Sequence, residues 1–263
     1  MDSILHSTQP GSLSTDTSTT AISGDSEVAD IMLRKNPCLV TARDQNNATP
    51  LQKAAFCGNK EMVSYFLKST KVEDFSNEEW FDILLLLVRT KMYDVGLELL
   101  EKNVSLATMR NEEGTVLHSL ARQDMSHFRA NRRILNSRRV KNAVMKGVPR
   151  RLIEGAMQPD LWLLAEKLIT MLTRAYPNLM LETDSHGYTI FHVAVIYRRE
   201  NVFRLIYSSG AIKHIIATSQ DQNGDNILHL AAKFPPPNPR NVVSIPPLQM
   251  QKELTWFKEV EAI

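Results

Sequence analysis

Three of the seven histidines stand in one repeated context. They are His118 in "TVLHSLA" from Thr115, His192 in "TIFHVAV" from Thr189 and His229 in "NILHLAA" from Asn226. Recurring imidazoles can do two kinds of chemistry. Converging, they ligate a metal such as zinc; beside a hydroxyl, one serves as a general base. The spacing argues against both. A fourth copy, "TPLQKAA" from Thr49, carries Gln52 at the histidine position. A side chain recurring three residues after Thr or Asn predicts a hydrogen bond inside each copy. If the copies stack, equivalent residues lie about 10 Å apart, the usual spacing of packed helices, which is too far for shared ligation. No Gly-rich phosphate loop and no Cys/His metal spacing is present. Cys38 and Cys57 form no Cys-x-x-Cys pair and no disulfide framework. The expectation is therefore no enzyme, with no catalytic, cofactor-binding or metal residue, no cofactor and no small-molecule substrate.

The histidines must be positioned by helices that begin at the same point of each copy. A turn-like stretch precedes every one: "DQNNA" from Asp44, "NEEG" from Asn111, "DSHGY" from Asp184 and "DQNGD" from Asp221. Thr115 follows Thr49 by 66 residues, two periods of 33. The register places a degenerate unit between them, and "DILLLLVRTKMYDVGLELL" from Asp82 keeps two apolar helical stretches there. Asp221 follows Asp184 by 37 residues, one period with a small insertion. Thr or Asn caps the helix, Pro50 suits its first turn and Gly serves the turn before it. One helix pair cannot bury its own apolar face, so the units must stack. Predicted helices run over 27–35, 50–56, 60–68, 77–88, 93–102, 116–122, 160–176, 189–197, 200–208, 227–233 and 248–262.

These residues resemble the ankyrin repeat, whose pattern is an Asp/Asn and Gly turn, then Thr-Pro-Leu-His-x-Ala-Ala, then a second Val- and Leu-rich helix. Thr49, Pro50, Leu51, Ala54, Ala55, Gly58, Val63 and Leu67 match in one unit; Gly114, Thr115, Leu117, His118 and Ala121 match in another. Gly187, Thr189, His192 and Ala194 match in a third, and Gly224, Leu228, His229, Ala231 and Ala232 in a fourth. The run "LQMQKELTWFKEVE" from Leu248, after the "PPPNP" loop, is similar to the last repeat of the plant ankyrin-repeat membrane proteins. In that family a membrane domain named for a Pro-Gly-Gly motif usually follows. The resemblance implies an all-α solenoid of stacked antiparallel helix pairs over 27–263, about five to six repeats with the first incomplete. It also implies a non-enzymatic protein-interaction scaffold in plant stress or defence signalling, at or near membranes and commonly the plasma membrane. Partner contacts are expected at the turn tips: Asn46, Asn47, Glu112, Glu113, Ser185, His186, Gln222 and Asn223.

Two segments stand outside this frame. Residues 1–26 hold twelve Ser or Thr and lack the basic start and apolar stretch of a signal peptide, so they read as a disordered tail. Residues 122–151 form a basic insertion that breaks the period, with ten Lys or Arg against the single acidic Asp124. Arg132, Arg133, Arg138, Arg139, Lys141, Arg150 and Arg151 are candidates for an anionic surface, as an alternative function. Acidic lipid fits better than nucleic acid, because only Phe128 offers a stacking ring. The formal net charge of +2 excludes little. The longest apolar run, Ile83 to Val88, is too short to cross a bilayer. A cytoplasmic location and protein partners are expected.

Overall fold

The computed structural model describes residues 21, 26–123, 159–210, 212–237 and 246–263. They are mostly helical, and the only strands among them, Arg110–Asn111 (β1) and Gly114–Thr115 (β2), form one short antiparallel ribbon. The class is all-α. The chain divides into two compact units, Met1–Ala107 and Thr108–Ile263. The Ser/Thr tail lies almost wholly outside the described residues, as does the basic insertion beyond Gln123.

The amino-terminal unit holds α1 (Ser26–Lys35), α2 (Pro50–Phe56), α3 (Lys60–Ser69), α4 (Asn77–Arg89) and α5 (Tyr93–Lys102). Three of these starts have a local cause. Thr49 Oγ1 accepts from the Gln52 amide at 3.3 Å while Gln52 Oε1 accepts from the Thr49 amide at 2.9 Å, and Pro50 follows the cap. Asn59 and Ser76 cap α3 and α4. α2 packs on α3 and on α4, and α3 packs on α5. The small buried pair Ala54 and Ala55 permits that close approach. α4 has neighbours on two sides, α2 and α5, and so it buries Trp80, Phe81, Ile83, Leu84, Leu85, Leu87 and Val88. Each large side chain removed from water stabilises the unit by about 1.5–3 kcal/mol before entropy is charged against it.

The carboxyl-terminal unit holds α6 (Val116–Arg122), α7 (Pro159–Ala175), α8 (Ile190–Ile196), α9 (Glu200–Phe203), α10 (Leu205–Ser208), α11 (Ile212–Thr218), α12 (Ile227–Ala232) and α13 (Pro246–Glu261). α8 packs between α6 and α12. α7 backs α6, α9 backs α8, and α13 backs α12. Phe203 meets Trp256 with ring centroids 5.2 Å apart. Arg198, in the left-handed region at φ 56, clasps the last helix. Its guanidinium donates to Glu253 Oε2 at 2.9 Å and to the carbonyls of Val195 and Lys233 at 2.7 and 2.6 Å.

Two local expectations change. The helix expected over 200–208 is broken at Arg204, where the Tyr207 amide bonds the Arg204 carbonyl at 3.1 Å. Helix α11 was not foreseen; the single buried residue that anchors it, Ile216, gives no helical period to read.

Candidate functional site

The four helix starts place their polar residues alike. The Thr115 amide donates to His118 Nδ1 at 3.1 Å, the Thr189 amide to His192 Nδ1 at 3.2 Å and the Asn226 amide to His229 Nδ1 at 3.2 Å. An amide can only donate, so each Nδ1 is an unprotonated acceptor and the other nitrogen carries the proton. His118 Nε2 donates to the Tyr188 carbonyl at 2.9 Å, and His192 Nε2 donates to the Ser219 carbonyl at 3.2 Å. Each of these rings thus closes its own helix start; His118 also ties it to the next start, and His192 ties it to the chain just after α11. Burial pushes both imidazoles below their ordinary pKa, against the opposing pull of those carbonyls. His229 is exposed.

A hydroxyl beside an imidazole is also the arrangement of a nucleophile and its base. Thr115 Oγ1 lies 3.0 Å from His118 Nδ1 and Thr189 Oγ1 lies 2.9 Å from His192 Nδ1. All four residues are 2% exposed or less. Both ring nitrogens already have backbone partners. No substrate carbonyl can reach these hydroxyls, and the pairs act as helix caps. Among the described residues no group of three His, Cys, Asp or Glu is placed to hold a metal.

The turns before the helices are built on an aspartate. Asp44 Oδ1 accepts from the Asn46 and Ala48 amides, Asp184 Oδ1 from His186 and Tyr188, and Asp221 Oδ1 from Asn223 and Asp225, all within 2.8–3.0 Å. The other oxygen takes a cation in two of the three: Lys53 Nζ at 2.6 Å from Asp44 and Arg122 at 2.6 Å from Asp184. The Lys53 hydrogen bond, with those of the two amides, holds the Asp44 carboxyl below its usual range.

In the carboxyl-terminal unit the turns join into one ribbon. The Ser185 amide donates to the Glu112 carbonyl at 3.0 Å, and the Gln222 amide donates to the His186 carbonyl at 3.1 Å. Gln222 Nε2 donates to the Ser185 carbonyl at 2.5 Å. Gly187 permits this approach: its φ is +79, and a Cβ there would stand 3.1 Å from the Gln222 nitrogen. Glu112, Glu113, Ser185, His186, Gln222 and Asn223 are all exposed on this ribbon. His186 stacks on Tyr188 with centroids 5.7 Å apart. Asn46 and Asn47 are exposed in the corresponding turn of the amino-terminal unit, Asn47 at φ 60.

The sequence places the aspartates in the turns, since an Asp opens three of the four turn stretches, but it does not show the cations that grip them, Lys53 and Arg122. Arg122, expected at the edge of the basic insertion, is part of the turn scaffold. Its guanidinium also donates to the Glu113 carbonyl at 2.7 Å, and its own carbonyl accepts from Arg199 at 3.1 Å. Arg132, Arg133, Arg138, Arg139, Lys141, Arg150 and Arg151 lie outside the described residues.

No family model matches the chain. No curated protein matches it. A solved structure does: a predatory endopeptidase from Bdellovibrio bacteriovorus in complex with an immunity protein, at 16% identity and a TM-score of 0.56, covering 92% of this chain and 96% of that one. At that identity the likeness concerns the fold alone. It nevertheless overturns several expectations. The chain is not placed in the plant ankyrin-repeat membrane family, and the stress and defence signalling role goes with it. The non-enzymatic scaffold, the exclusion of enzymes and the acidic-lipid alternative are withdrawn too, because the match is to a complex containing an endopeptidase. The physical reason is plain. The residues that carried the resemblance are caps, turn glycines, small packing residues and the run from Leu248, which lies in α13 and backs α12. They specify how helices stack, and they name neither a partner nor a reaction. Among the described residues no helix is long and apolar enough to cross a membrane.

Proposed function

We propose that this chain binds a protein partner through the turn ribbon of its carboxyl-terminal unit, on ankyrin-type helix pairs running over 27–263. The observation that carries this reading is the pair of backbone hydrogen bonds, Ser185 to Glu112 and Gln222 to His186, that join successive turns. They hold six exposed side chains of varied chemistry on a rigid backbone. Binding to a rigid edge loses little conformational freedom, which favours affinity. The residues proposed to touch the partner are Glu112, Glu113, Ser185, His186, Gln222 and Asn223, with Asn46 and Asn47 as the matching positions of the amino-terminal unit. The repeated turn, cap and helix-pair order supports the ankyrin-type reading. The fold neighbour is itself part of a protein–protein complex, which supports a protein partner.

The test is capture from an extract of the source cells. The unmodified chain is compared with a variant carrying Glu112→Ala, Ser185→Ala, Gln222→Ala and Asn223→Ala, and with one altered at Lys68 and Lys213, off the ribbon. A partner retained by the first and third and lost by the second is the expected result. Equal retention by all three rejects the ribbon. Mass spectrometry of the retained partner reads cleavage at the same time, so peptidase activity is measured alongside binding.

A further inference from the structure

The three turn aspartates are not equally satisfied. Asp184 is gripped by Arg122, the last residue of α6, and Asp44 by Lys53. Asp221 adopts the same turn, with Oδ1 taking two amides at 2.8 and 2.9 Å. Its Oδ2 is buried with no hydrogen-bond partner, and the residue is 7% exposed. The sequence explains the vacancy. Arg122 stands four residues after His118; four residues after His192 stands Ile196. Lys53 stands nine residues after Asp44; nine after Asp221 stands Leu230. Both positions that supply a cation elsewhere are apolar here. Lys233, close enough to feel the Asp221 charge, is engaged with Asp225 instead. Burial pushes the Asp221 carboxyl up, but the Asp225 and Asn223 amides and the Asn223 side chain outweigh this and hold it below the usual range.

We propose that Asp221 is a seat for an arginine side chain of the protein partner, filling from outside the place that Arg122 fills beside Asp184. The inference rests on the ribbon as the binding surface. A buried carboxylate oxygen without a donor gains most from a charged donor. Asp221 lies in the turn that carries the exposed Gln222 and Asn223 and that adjoins the His186–Tyr188 stack, and the guanidinium must part this cover to reach Oδ2. A planar guanidinium suits such a place, since it both bonds a carboxylate and lies against aromatic faces.

The probe is the peptide acetyl-Gly-Arg-Gly-amide, compared with its citrulline counterpart, which keeps the shape and loses the charge. The readout is the backbone amide NMR shifts of Asn223 and Asp225, whose protons point at the Asp221 carboxylate. The expected result is a saturable response to the arginine peptide and binding at least tenfold weaker for citrulline. Asp221→Asn keeps the turn acceptor and should weaken the arginine response at least tenfold. Ile196→Arg should abolish it by filling the seat from within the chain. No response in the unmodified chain, an equal response to citrulline, or an arginine response unchanged by both substitutions overturns the proposal. Capture that depends on the ribbon, together with failure of the peptide, removes only the arginine seat. Capture indifferent to the ribbon removes the functional reading itself.

Discussion

Helices α6, α8 and α12 begin with the same three-residue reach between a capping residue and a histidine, yet their histidines live differently. His118 and His192 are fully buried and each spans to a carbonyl of the following turn region. His229 makes the same Nδ1 contact with the Asn226 amide but is exposed, and no partner for its Nε2 is found among the described residues. One motif therefore has two values. As a cap it closes one helix; once covered by a neighbour it also fastens two helix pairs together. The contribution is a property of the stack and cannot be read from the motif alone.

The largest effect should separate those two values. His192→Ala removes a cap, an inter-turn hydrogen bond and a buried ring, and should lower unfolding free energy by about 3–4 kcal/mol. His229→Ala should cost about 1 kcal/mol, the scale of a cap alone. Denaturant titration of both variants checks the difference, and equal losses would break the comparison.

Next in size is Arg122→Met. It leaves the Asp184 carboxylate, 1% exposed in its side chain, without its cation. A loss of about 3 kcal/mol is expected from an orphaned buried charge. Lys233→Met removes a partner that is 58% exposed and should cost under about 1 kcal/mol. Thermal melts of the pair rank them.

A smaller contrast lies in the turn glycines. Gly187→Ala meets both a positive φ and the Gln222 nitrogen, whereas Gly224→Ala has φ +80 and open space. The first should cost about 2 kcal/mol and the second about 1. Hydrogen exchange of the Gln222 amide should quicken only in the first.

The subtlest test is acid. Both buried histidines have folded pKa values below the unfolded one, so the unfolded chain binds protons that the folded chain refuses. Stability should be flat above neutrality and should fall as pH drops through about 6.5, the unfolded value. Gln52 performs the same capping role without titrating. The double variant His118→Gln with His192→Gln should therefore flatten the slope in urea melts run between pH 7.5 and 5.

Much of the architecture was legible from Thr, Pro, Gly and His at fixed offsets, because caps and turns depend on residue type at single positions. The helix ends at Phe56, Lys102 and Arg122 follow from the period and fall where the structure has them. The turn aspartates were visible as letters, but their cations were not: Lys53 is nine residues from Asp44 and Arg122 is sixty-two from Asp184. Such pairs depend on stacking geometry. Family and function were misjudged for a related reason. Residues that pack helices are shared by chains with unlike roles, so their match carried fold and nothing of partner or chemistry.

The central claim is that the partner sits on the ribbon. Photo-crosslinking residues placed singly at Glu112, His186 and Asn223, and for contrast at Lys68 and Lys213, test it most directly. In an extract of the source cells, one protein should be cross-linked from all three ribbon positions and from neither of the others. Cross-linking of the captured protein from Lys68 or Lys213, with none from the ribbon, would contradict the account.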